Sequence, residues 1–125
     1  AMFEAKAHYM LEYGLLNNRQ GVLIAGSGPT GRQAAHSFEK RGVQILGYVD
    51  NRPGPPDRKV KSWPAWGFRG LPPAEFLDKF RDVLILLAIG DSKGQRAFAE
   101  LLRKLNFIEN RDFVRVIYNW PAASA

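Results

Sequence analysis

Val22-Leu23-Ile24-Ala25-Gly26-Ser27-Gly28-Pro29-Thr30-Gly31-Arg32 joins an unbroken apolar run to a glycine-spaced turn and then to the start of a polar-apolar repeat. A short apolar run between Gly21 and Gly26 reads as a strand buried on both faces, as in a parallel sheet. The helix predicted after it spans Gly31 to Arg41, with Ala34, Ala35 and Phe38 on one side and Gly42 as its stop. Val43-Gln44-Ile45-Leu46-Gly47-Tyr48-Val49 is then a second strand that ends at Asp50. Together these elements make a βαβ unit of about 30 residues.

Downstream of that unit the pattern alternates. Residues 51–71 read as a long irregular stretch. Pro72-Pro73-Ala74-Glu75 opens a short helix through Phe80, because proline suits a first helical turn. Val83 to Ile89 is the most apolar run and is placed centrally in the sheet; an amphipathic helix spans roughly Lys93 to Leu105, and Phe113 to Ile117 is a last strand. Strands alternating with helices predict an α/β fold: one small Rossmann-like domain over residues 21–118, its mostly parallel sheet carrying helices on both faces. Residues 1–20 space Phe3, Ala7, Met10, Leu11 and Leu15 as an amphipathic helix. That helix either caps the domain or is the stub of a linker to a larger parent chain, and residues 119–125 read as a loose tail.

Composition bounds the chemistry. The 125 residues, 46% hydrophobic and 24% charged, suit one core and leave no room for a two-domain enzyme. Without cysteine there is no thiolate chemistry, and His8 and His36 are too scattered to suggest a metal site. No apolar run reaches the ~20 residues of a membrane span, so a soluble, cytoplasmic protein is expected. The net charge of +6 favours an anionic partner, which charge alone leaves open between nucleotide, nucleic acid, acidic lipid and protein.

The glycine spacing narrows that choice. Gly26 permits the tight turn, Gly28 lets backbone approach a pyrophosphate, and Gly31 lets helix and strand pack closely. The helix start, with Pro29 in the loop before it, offers N–H groups and a partial positive charge to phosphates. Ser27 and Thr30 add hydroxyl donors and Arg32 a cation. Asp50, nineteen residues beyond Gly31 and followed by Asn51, stands where an acid accepts hydrogen bonds from ribose hydroxyls. If the Val83–Ile89 strand lies beside the first, Gly90, Asp91 and Ser92 form the opposite wall of the crevice, although Asp91 and Ser92 are also explained as helix-cap or first-turn residues.

The segment from Arg58 to Arg69 interleaves Lys59, Lys61 and the two terminal arginines with Trp63, Trp66 and Phe68. Such a pattern stacks a base, grips single-stranded nucleic acid or docks on a membrane surface; equally, the aromatics cover the edge of the sheet. Nucleic acid ranks low among these partners because a phosphate site already stands elsewhere.

Taken with Leu46-Gly47-Tyr48-Val49-Asp50-Asn51, Gly70-Leu71-Pro72-Pro73-Ala74-Glu75, Ala88-Ile89-Gly90 and Asn110-Arg111-Asp112-Phe113-Val114, the opening stretch resembles a bacterial module over about residues 20–118. This is the Rossmann-like domain at the C-terminus of some family 2 glycosyltransferases, related to the N-terminal nucleotide-sugar-binding domain of sugar O-acyltransferases and to CoA-binding-type domains. The resemblance implies a UDP-sugar held by Gly26, Ser27, Gly28 and Asp50, in a module accessory to a glycosyltransferase or surface-polysaccharide system. An NAD(H)-binding oxidoreductase fragment and a ligand-free interaction scaffold using Trp63 to Arg69 are the alternatives. No substrate domain and no acid-base pair accompany the loop, so the chain reads as a binding module rather than a complete enzyme, with no catalytic residue assigned and self-association left open.

Overall fold

The computed structural model describes residues 19–51, 59–60 and 62–116. The expected N-terminal helix, apart from its last two residues, lies outside the described residues, as do Arg52, Arg58, Lys61, Ile117 and the 119–125 tail. The described chain is α/β, with elements in the order β1 (Val22–Ala25), α1 (Pro29–Lys40), β2 (Ile45–Asp50), β3 (Lys59–Val60), β4 (Trp63–Gly67), α2 (Ala74–Asp78), β5 (Leu84–Leu87), α3 (Ser92–Lys104) and β6 (Phe113–Arg115).

The six strands lie in the order β3-β4-β2-β1-β5-β6, and only the β3–β4 pair is antiparallel. From β1 the chain builds outward through β2 to β4, then crosses by way of α2 to β5 on the other side of β1. The order therefore reverses between β1 and β5. At such a switch point the connections leave in opposite directions and a crevice opens at the carboxyl ends of the strands.

Alternation of side chains explains the apolar runs. Val22, Ile24, Leu84 and Leu86 face the side on which Ala34, Ala35 and Phe38 of α1 pack, while Leu23, Ala25, Ile85 and Leu87 face Phe76 and Leu77 of α2 and Phe98, Ala99 and Leu102 of α3. All four residues of β1 and of β5 are buried, as covering a sheet on both faces requires. Each large apolar side chain so buried contributes about 1.5–3 kcal/mol.

The stretch expected to be irregular contains a strand. Tyr48, Val49 and Asp50 pair with Ala65, Trp66 and Gly67, which makes β4 the outer parallel neighbour of β2. Pro64 and the surrounding cations obscure its period-two pattern, yet Trp63 and Trp66 leave opposite faces of β4. Trp63 meets Tyr48 edge-on at 6.1 Å, and Trp66 packs edge-to-face on Phe76 and Phe80 at 5.6 and 5.7 Å. Phe68 joins the same group, 4.8 Å from Phe76. These aromatics are half-buried and cover the β2–β4 side of the sheet.

At the amino-terminal edge, Asp112 ties the chain together. Its carboxylate accepts from Arg19 Nη2 at 3.0 Å, the Ile108 backbone N–H at 2.7 Å and Arg111 Nη2 at 3.1 Å. Burial by itself would raise this acid; the Ile108 N–H and the Arg111 and Arg19 guanidiniums outweigh it and hold Asp112 below the usual carboxylate range.

Candidate functional site

A cleft of about 430 Å³ opens at the carboxyl ends of the strands. Its position follows from the backbone: Gly26 N–H donates to Val49 O and Ala88 N–H to Ala25 O, both at 2.8 Å, so the loops leaving β1, β2 and β5 are held side by side. Gly26 to Thr30 form one wall, Asp50 and Asn51 one end, and Gly90 and Asp91 the facing wall. The volume lies within the ~300–1,000 Å³ usual for small-molecule sites.

Gly31, Arg32 and Ser92 stand outside the lining. Gly31 is buried, and a Cβ there would fall 1.8 Å from Gly26 O, so it serves the packing of α1 on the loop. Arg32 is exposed on α1, and its charge acts on Tyr48, whose phenol burial pushes up while Arg32 opposes. Ser92 is the exposed first residue of α3.

The three loop glycines differ in what the protein asks of them. At Gly26, with φ +111°, a Cβ would come within 2.6 Å of Ala88 O. Gly28 has extended backbone at φ −76° and ψ −169°, open to any residue, and among the described residues nothing lies within 4 Å of where its Cβ would stand. Internal packing thus accounts for Gly26 and Gly31 and leaves Gly28 unexplained, facing the cleft.

Two helices begin at this cleft. Among the described residues no side chain caps α1: its first turn carries no acid, and Pro29 occupies its first position. At α3, Asp91 is the N-cap, accepting from Gly94 N–H at 3.0 Å and Lys93 N–H at 3.4 Å. Gln95, buried one turn on, donates through Nε2 to Leu87 O at 3.1 Å and Val116 O at 2.9 Å, pinning α3 to the ends of β5 and β6. The Asp91 wall is therefore rigidly placed and already satisfied by its own carboxylate.

The Ser27 hydroxyl, expected to point at a phosphate, instead donates to Asp50 Oδ2 at 2.5 Å. Ser27 is buried and Asp50 partly so. Beyond the residues expected from the sequence, the lining includes Gly70, Leu71 and Pro72 from the loop after β4, and Ala97 and Phe98 from the inner side of α3. The signal for the first group is the strand β4 before it, since loops that follow parallel strands gather at the carboxyl edge. No protein-family model matches this chain, and none of the curated proteins matches it significantly.

Proposed function

We propose that this chain is a nucleotide- or nucleotide-sugar-binding module whose phosphates sit at the start of α1. Gly28 carries the reading: among the described residues it is a glycine that neither strain nor packing demands, at the mouth of a helix start that no described side chain caps. Backbone without a β-carbon there lets a pyrophosphate approach the α1 N–H groups, to which the helix adds a partial positive charge. Asp50 lines the same cleft, as a ribose-binding acid must. The apolar surface of Leu71, Pro72, Ile89 and Phe98 offers a bed for the uncharged part of the ligand.

On the resemblance described above, a UDP-sugar is the first choice of ligand, and service to a glycosyltransferase or surface-polysaccharide system the first choice of context. NAD(H) is the second choice, because Asp50 suits an adenosine ribose equally. A panel of UDP-sugars, NAD, NADP and coenzyme A, each followed by thermal unfolding, tests the proposal. At a hundredfold excess over Kd a true ligand stabilises the native state by about 2.7 kcal/mol. Silence across the panel overturns it.

A further inference from the structure

We infer that Ser27 is a positioning residue which holds Asp50 and thereby makes the cleft selective for nucleotides with an unsubstituted ribose diol; this rests on the nucleotide reading. The observation is the hydrogen bond from Ser27 Oγ to Asp50 Oδ2 at 2.5 Å, made between the loop after β1 and the end of β2. Asp50 has rotatable χ angles and stands at the end of its strand, and the bond from Ser27 restricts the direction of its carboxylate. Ser27 supplies that constraint from a buried position, 5% exposed, on the loop that also presents Gly28.

The consequence is chemical. A carboxylate with a fixed direction accepts two neighbouring hydroxyl donors at little ordering cost, whereas a swinging one loses side-chain entropy on binding. A deoxyribose removes one donor. A ribose phosphorylated at either hydroxyl, as in NADP or coenzyme A, replaces a donor with negative charge and sets it against Asp50. The ligand class is thus nucleoside diphosphates and their sugar or nucleotide esters with both ribose hydroxyls free.

Calorimetric titration of the whole chain with UDP, ADP, their 2′-deoxy forms and inorganic pyrophosphate separates the outcomes. The native protein is expected to prefer ribo over deoxy by about tenfold, as one hydrogen bond to a charged group supplies. Ser27→Ala brings that ratio towards one; Asp50→Ala does the same, and Ser27→Ala adds nothing further in the Asp50→Ala background, as for two residues acting as a unit. A ratio untouched by Ser27→Ala overturns the inference, as does a parallel fall for ribo, deoxy and pyrophosphate, which makes Ser27 a phosphate ligand. If Ser27→Ala fails to fold, Ser27→Thr, which keeps the hydroxyl, must retain the ratio, and loss of the ratio there counts against positioning. Native protein that binds none of these probes overturns the nucleotide reading itself.

Discussion

Two helices start at the same cleft and treat their first backbone N–H groups in opposite ways. At α3, Asp91 turns its own carboxylate onto Lys93 and Gly94, so the demand for an anion is met inside the chain. At α1, Gly28 stands in the capping position with no side chain to offer, and proline rather than an acid opens the first turn. Both helices are long and both pack on the sheet, so stability alone would favour a cap at each. On the reading proposed above, α1 leaves its first N–H groups to an outside anion, whereas α3 satisfies its own with Asp91.

The largest expected effect comes from breaking the frame that holds the open start in place. In Gly31→Ala the new Cβ would stand 1.8 Å from Gly26 O, and backbone cannot yield as a side-chain tip does, so α1 must shift off the loop. A loss of about 3 kcal/mol in urea unfolding is expected, with nucleotide binding lost at native temperatures. An unchanged midpoint would mean that α1 and the loop are not packed as described.

Making α1 resemble α3 comes next. Gly28→Asp provides a cap carboxylate, so stability should change by only a few tenths of a kcal/mol. Pyrophosphate affinity should fall about a hundredfold, because like charges now meet at the helix start. Retained affinity in a folded Gly28→Asp protein removes the α1 start as the phosphate site.

At the amino-terminal edge, far from the cleft, Asp112 shows the α3 solution in tertiary form: an acid saturated by donors of its own chain. Its folded-state pKa lies below the unfolded value near 3.8, so the stability it adds is fully present above that value and is lost as the pH falls through the folded one. Asp112→Ala should cost about 2 kcal/mol at neutral pH and flatten the acid limb of the stability profile. An acid limb identical to that of the native protein would exclude Asp112 as its source.

The smallest effect is the converse exchange. Asp91→Ala uncaps α3 and should cost about 1 kcal/mol in thermal or urea unfolding. Because a negative charge leaves the cleft wall, inorganic phosphate should bind the variant more tightly than the native protein. Weaker phosphate binding would show that Asp91 acts on the ligand other than by its charge.

How much of this was legible beforehand depended on how local the signal was. β1, the glycine loop, α1, β2 and Asp50 follow one another within about 30 residues, and each announces itself through its own neighbours. α1 nevertheless begins at Pro29, earlier than the Gly31 expected, because proline's fixed φ suits a first helical residue. β5 at Leu84–Leu87 is shorter than the Val83–Ile89 run, since apolar residues continue beyond the last ladder bond into the cleft wall. β4 is not legible in the sequence because its strand character comes from pairing with β2, and the place of Gly70 to Pro72 in the cleft depends on that pairing.

The α/β alternation, the glycine spacing and the acid after the second strand are all legible in the sequence, because apolar period and turn chemistry are properties of adjacent residues. What each of those residues meets follows from the tertiary structure alone. Gly26 answers to Ala88, Ser27 to Asp50, and Gly28 to no described atom within 4 Å of its missing Cβ. The clashes, hydrogen bonds and empty space that separate a packed glycine from a cleft-facing one depend on atoms distant along the chain, which meet only when the sheet has formed.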